Sequence, residues 1–175
     1  MGFENKSTIQ FLFDYLSPYA YLAWTQIQPL ARRHQRVVEP QPILLAGLLN
    51  ATGQKGPAEV EAERLYIFKD LYRTTSHLGV PFVPPPSHPF NPLLALRVSL
   101  VPTDNTKRVE LVDGIYKAVF GSGKDISDSE NLGSILADLG FDAQTLITRA
   151  ASTEINGRTG LKRGKFRRDT VDRDS

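Results

Sequence analysis

An α/β fold is predicted by three features of the sequence: an apolar, β-forming run at 9–13, a helical pattern that opens at Pro18, and a second β-rich segment at Val37-Val38. Two strands joined by a helix, if parallel, make a right-handed crossover unit, and ligands of such units gather at the carboxyl ends of the strands. At 175 residues the chain has room for one compact domain with a real core.

The strand at 8–14 is expected to be buried and central, because Ile9, Phe11, Leu12 and Phe13 are nearly continuous. Tyr21, Leu22, Trp24, Ile27, Leu30 and Ala31 then fall at helical spacing. Arg32 and Arg33 suit the negative end of that helix, and Pro29 is expected to kink it. Val37-Val38 gives a short strand hemmed in by Pro40 and Pro42. Beyond it the chain turns helical. The pattern predicts a short apolar helix at 43–50, a loop at 52–56 and a long helix from Pro57, with Glu59, Glu61 and Glu63 in its first half. Residues 79–89 carry too many prolines for regular structure and read as an extended crossing. Asn91-Pro92 opens a helix reaching about Val101, and three more follow at 104–120, 128–139 and 142–151. There is no internal repeat.

The sequence contains no cysteine, which excludes disulfide exchange, a protein thiolate nucleophile and cysteine-held metal. Residues 1–6 lack the apolar core of a signal peptide, and no stretch approaches the roughly 18 apolar residues of a membrane span. A cytoplasmic protein without membrane attachment is expected. The formal charge of +2 is unevenly spread: from Arg158 onward there are seven basic and three acidic residues. Such a segment can meet phosphate backbones, but a short basic tail without periodicity is ordinarily solvated, so 156–175 is expected to be a disordered tail and no nucleic-acid partner is expected.

Ser17-Pro18 is where the first strand hands over to the first helix. The leading N–H groups of a helix lack intrahelical partners and carry the positive end of its dipole, so a hydroxyl there can join them in stabilising an anion. Ser is equally a favoured N-cap and Pro a favoured first helical residue, with Leu16 and Tyr21 spaced as a hydrophobic staple. Both readings stand on spacing alone. His34, His77 and His88 lack the spacing of a helical metal pair, so no metal is expected. His88 lies in the Pro-rich crossing beside Asn91, where a structural hydrogen bond is its expected use. The Gly-x-Ser-x-Gly elbow of a serine hydrolase is absent around Ser17. Gly121-Ser122-Gly123-Lys124 follows a helix rather than a strand and reads as a helix-ending turn, not a phosphate loop. What remains for Ser17 is to act on a thiol brought by a small molecule such as glutathione, keeping it ionised.

Several segments together carry a resemblance. Phe13-Asp14-Tyr15-Leu16-Ser17-Pro18-Tyr19-Ala20-Tyr21-Leu22-Ala23, Thr52-Gly53-Gln54-Lys55-Gly56-Pro57-Ala58-Glu59, Tyr66-Ile67-Phe68-Lys69-Asp70-Leu71-Tyr72-Arg73 and His88-Pro89-Phe90-Asn91-Pro92-Leu93-Leu94-Ala95-Leu96-Arg97 occur in the order seen in the 2-hydroxychromene-2-carboxylate isomerases. Those enzymes belong with the DsbA-like and kappa-class glutathione transferases. The resemblance implies a thioredoxin-like fold within 1–155, split by a helical insertion at about 43–151. It also implies glutathione as cofactor, with Ser17 as the catalytic residue that stabilises its thiolate and Gln54 and Asp70 as glutathione-binding residues. The implied reaction is a glutathione-dependent cis-trans isomerisation in aromatic-compound degradation: the thiolate adds to a conjugated form of the substrate, permits rotation and leaves. An aromatic small molecule is the implied substrate and a homodimer the implied assembly. The alternatives are a kappa-type glutathione S-transferase, which would conjugate rather than isomerise, and a truncated, inactive member of the family.

Two departures from that family's pattern bear on this reading. Glu63 stands where many relatives carry Lys, beside Arg64. Past Ile155, relatives continue with a further helix, a cis-proline loop and two more strands, none of which is evident in 156–175. The second half of the thioredoxin sheet is therefore expected to be missing.

Overall fold

The computed structural model describes residues 7–158. Strand β1 (Thr8–Phe13) leads through a turn into helix α1 (Pro18–Arg33), which returns to β2 (Val37–Pro42), and the two strands pair in parallel from Thr8 opposite Val37 to Phe13 opposite Pro42. This is the expected crossover unit. Helix α1 runs uninterrupted through Pro29. Strand β2 is longer than its sequence suggests, and the pairing explains why. Val37 N–H reaches Ser7 O and Ile43 N–H reaches Phe13 O, so odd-numbered residues turn their N–H groups toward β1. Pro40 and Pro42 occupy even positions, whose missing N–H groups would have pointed to the outer edge.

β1 is not central among the described residues. It pairs with β2 alone, and Leu12 is 49 % exposed. Its side chains alternate rather than being buried throughout: Ile9, Phe11 and Phe13 face the helices, and Thr8, Gln10 and Leu12 face away. Tail residues 156–158 fall in the backbone of a last helix, and the remainder of that tail lies outside the described residues.

Among the described residues the remaining regular elements are helical: α2 (Leu45–Thr52), α3 (Glu61–Leu78), α4 (Leu93–Val98), α5 (Asn105–Tyr116), α6 (Ser129–Asp138), α7 (Ala143–Ala150) and α8 (Thr153–Arg158). The long helix expected from Pro57 is broken: Pro57–Glu59 forms one 3₁₀ turn, Val60 is extended, and α3 starts afresh. Likewise α5 ends at Tyr116 and continues as a π-helical turn, Lys117–Gly121. Gly123, at φ 66°, closes that segment in a left-handed conformation, and a Cβ there would lie 2.8 Å from Val83. The helix end thus presses on the Pro-rich crossing, where Val83 N–H donates to Phe120 O at 2.7 Å.

The core lies where this helical body meets β1 and α1. Phe13, Tyr15, Trp24 and Tyr116 pack ring to ring with centroids 4.9 to 6.3 Å apart. Burying such rings stabilises by about 2–3 kcal/mol each, and their polar tips need partners. They have them. Trp24 Nε1 donates to Asp113, Tyr116 donates to the Asp14 carbonyl, and Tyr15 donates to Ser99, whose own proton goes to Ala95 O. Burial holds both tyrosine phenols neutral, well above their ordinary range.

Candidate functional site

The carboxyl end of β1 and the start of α1 are joined by a tight turn, 14–17. Ser17 is extended (φ −93°, ψ 109°) and caps α1: its Oγ accepts from Ala20 N–H at 3.2 Å, and its carbonyl accepts from Ala20 and Tyr21. Because Oγ is the acceptor there, its proton is left to donate elsewhere. Pro18 has no N–H, and among the described residues the Tyr19 N–H has no acceptor. No acidic residue occupies the first turn of α1. A hydroxyl proton, a free N–H and the positive end of a 16-residue helix therefore meet at one place.

That place opens onto a cleft of about 290 Å³. Leu45, Ala46 and Leu49 of α2 and Ile67 of α3 make its walls apolar, while His88 and Pro89 of the Pro-rich crossing close one side. In such surroundings an electrostatic contact is worth more than in water, so a few donors suffice to hold an anion.

Comparison with known proteins places the chain in a family. The chain matches the DSBA-like thioredoxin domain over residues 8–165. It belongs to the DSBA-like thioredoxin family. A 2-hydroxychromene-2-carboxylate isomerase of Sphingobium xenophagum is 31% identical over 141 residues, covering 79% of this chain and 71% of that protein. Glutathione S-transferase kappa 2 of Caenorhabditis elegans is 25% identical over 166 residues, covering 86% and 71%. The solved structure of a 2-hydroxychromene-2-carboxylate isomerase superposes with a TM-score of 0.77 at 25% identity, covering 86% of this chain and 74% of that one. The 175-residue sequence of this DSBA-like chain contains no cysteine and so no cysteine redox pair.

The other residues singled out from sequence are placed unevenly around this DSBA-like site. Asp70, on α3, accepts a 2.7 Å hydrogen bond from the hydroxyl of Tyr19, which lines the cleft next to Ser17. Partial burial, the hydrogen bond to Asp70 and its charge push the Tyr19 phenol up to about 12, so it remains a neutral donor. Gln54 is exposed in the loop after α2 and is not part of the cleft wall; its backbone N–H bonds to Leu49 O. Glu63 is exposed in the first turn of α3. Among the described residues no cluster of His, Asp or Glu has the make-up of a metal site, and no helix is long and apolar enough to cross a membrane.

Of two further residues of the site, Asp14 had no role assigned from the sequence, and His88 had only a structural hydrogen bond without a named partner. Asp14 is buried: one carboxylate oxygen accepts from Leu16 N–H at 2.9 Å and the other from Leu45 N–H, the first residue of α2, at 2.8 Å. It thereby ties the Ser17 turn to the opposite wall of the cleft. Loss of water raises its pKa, and the two N–H bonds pull the other way. The signal was an Asp directly ending an apolar strand and two residues before a backbone N–H, the spacing of an Asx turn. The second residue, His88, makes the structural hydrogen bond expected of it, and its partner is the carbonyl of Leu16 at 2.8 Å.

Proposed function

We propose that this protein binds glutathione with its sulfur at Ser17 and uses it to isomerise a conjugated aromatic substrate of the 2-hydroxychromene-2-carboxylate type, in the degradation of aromatic compounds. The observation that carries this reading is Ser17 capping α1 with Oγ as acceptor, which leaves its proton and the Tyr19 N–H at the mouth of an apolar cleft. The Ser17 proton, the Tyr19 N–H and the positive helix end suit a thiolate, with no acid in the first turn of α1; Glu59, an acid that lines the cleft, already accepts from the Gly56 N–H. When bound, glutathione supplies a sulfur nucleophile able to add reversibly to a conjugated double bond.

The chain's own residues would hold and shield that sulfur. Ser17 donates to it and lowers its pKa; the Tyr19 amide and the α1 dipole act in the same direction. Leu45, Leu49 and Ile67 exclude water and offer an apolar surface to a flat substrate. Tyr19, kept neutral, gives its one hydroxyl proton to Asp70, so at the rim it contributes its ring and its backbone N–H rather than a phenolic donor. The fit is to the sulfur end. Gln54 lies outside the cleft wall and Glu63 brings a negative charge, so the carboxylates of glutathione need partners other than these two.

The kappa transferase relative favours a second reading, in which the same site conjugates glutathione to an electrophile. Product mass separates the two, because an isomerase returns its substrate at unchanged mass. Millimolar glutathione should raise the melting temperature of the wild-type protein and show a thiolate absorbance band that Ser17→Ala loses. If neither appears, both catalytic readings fall and an inactive family member remains.

A further inference from the structure

We infer that His88 is a positioning residue for Ser17, acting through the Leu16 carbonyl. The inference rests on the reading above, because the hydroxyl it orients is the proposed donor to sulfur. The Leu16 carbonyl and the Ser17 N–H belong to one peptide unit, which is planar. Its N–H donates to Asp14 O at 3.0 Å, and its carbonyl accepts from His88 Nε2 at 2.8 Å. Fixing both ends fixes the plane. Ser17 projects from that plane at φ −93°, and its side chain is then held by the 3.2 Å bond from Ala20 N–H. His88 thus supplies one of the constraints that determine where the Ser17 proton points.

The surroundings of the ring support a role beyond packing. A carbonyl can only accept, so Nε2 carries a proton. Nδ1 is buried and has no partner among the described residues. The ring meets Phe68 and Phe90 edge-on at 5.8 and 6.1 Å. An aromatic hydrocarbon would fill this apolar slot without a stranded ring nitrogen, at a gain in stability. What it could not do is hold Leu16 O. The Pro-rich crossing therefore brings one side-chain N–H to the site, and that N–H is aimed at the peptide that carries the proposed catalytic serine.

His88→Phe and His88→Leu remove the N–H while retaining apolar bulk, and His88→Gln restores an amide N–H in reach of the Nε2 position. In the ligand-free full chain, NMR should show the Ala20 amide exchanging with solvent about tenfold faster in His88→Phe, with the Ser17 resonance displaced and both restored in His88→Gln. With glutathione, the bound thiol should titrate higher in His88→Phe than in wild type. In a Ser17→Ala background, His88→Phe should cause no further rise. Unchanged Ser17 and Ala20 amides in both the Phe and Leu variants would overturn the inference; so would a Gln variant no better than Phe, or a thiol shift that persists without Ser17. Because the amide measurement needs no ligand, a wild-type protein that ignores glutathione would end the functional reading and still leave His88 decided.

Discussion

Helix α1 and helices α5, α6 and α7 are all capped by a side chain, but with opposite electrostatic outcomes. Asp104 accepts from Thr106 N–H, Asp128 from Glu130 and Asn131 N–H, and Asp142 from Thr145 N–H, each at an exposed helix start. There the anion that suits a helix N-terminus is built into the chain. At α1 the cap is the neutral Ser17, no acid occupies the first turn, and the end faces an apolar cleft. Of these four, the helix whose positive end is not neutralised by its own cap is the one that meets the cleft. Capping alone therefore does not mark a site; a cap without charge beside an enclosed space does.

The strongest way to break this contrast is to give α1 the cap that the other helices have. In Ser17→Asp the helix stays capped, so the melting temperature should change little, since Asp and Ser cap about equally well. The built-in carboxylate then competes with the sulfur for the same N–H groups. Isomerase or transferase turnover should fall by about 100-fold or more, and the thiolate band should disappear. A variant that unfolds, or one that turns over normally, would show that the charge of the cap is not what separates α1 from the rest.

Next in size is the tie behind the serine. Asp14 takes up the Leu16 and Leu45 N–H groups with one carboxylate oxygen each. Asp14→Asn presents one carbonyl oxygen and an amide, so one buried N–H loses its acceptor, at a cost of about 2 kcal/mol near pH 4. The pH dependence follows from the direction of its shift. Desolvation raises the folded-state pKa above the unfolded one, so the native state holds the proton more tightly. That contribution to stability is present at low pH and is lost as pH rises from about 4 through the raised value. Denaturant titrations across this window should show the wild type losing stability relative to Asp14→Asn as pH rises. Parallel curves would mean that Asp14 ionises as freely in the fold as in the unfolded chain.

Much of this was legible in the sequence because it depends on neighbours along the chain. The Ser17 cap, the Pro18 helix start, the crossover from β1 to β2 and the starts of α5, α6 and α7 follow from residues within a few positions of one another. The family and the thioredoxin-like fold followed from motif order. What was missed depends on partners far apart. Asp14 meets Leu45 and His88 meets Leu16 across 31 and 72 positions, and no local pattern reports such pairings. The cleft wall likewise assembles from α2, α3 and the Pro-rich crossing. The overestimated burial of Leu12 has a similar cause: a continuous apolar run suits a strand buried on both faces, whereas β1 is covered on one. Pro40 and Pro42 discouraged a longer β2 because the sequence does not show which way their missing N–H groups face.

The smallest effect tests the other side of the contrast, at α7. Asp142 accepts from Thr145 N–H at 3.0 Å and from the Thr145 hydroxyl at 2.7 Å, and these bonds hold its carboxyl below the ordinary carboxylate range. A depressed folded-state pKa contributes stability that is present above the unfolded value of about 4 and is lost as pH falls through the folded value. Asp142→Ala should therefore lower the melting temperature by a few degrees at neutral pH, with the gap closing on acidification. The trend is opposite in sign to that of Asp14. Because α7 lies outside the cleft wall, glutathione binding and turnover should be unchanged in this variant. If Asp142→Ala weakened binding as Ser17→Asp is expected to, the ionised caps would be acting on the site from a distance, and the neutrality of Ser17 would no longer be a local property of α1.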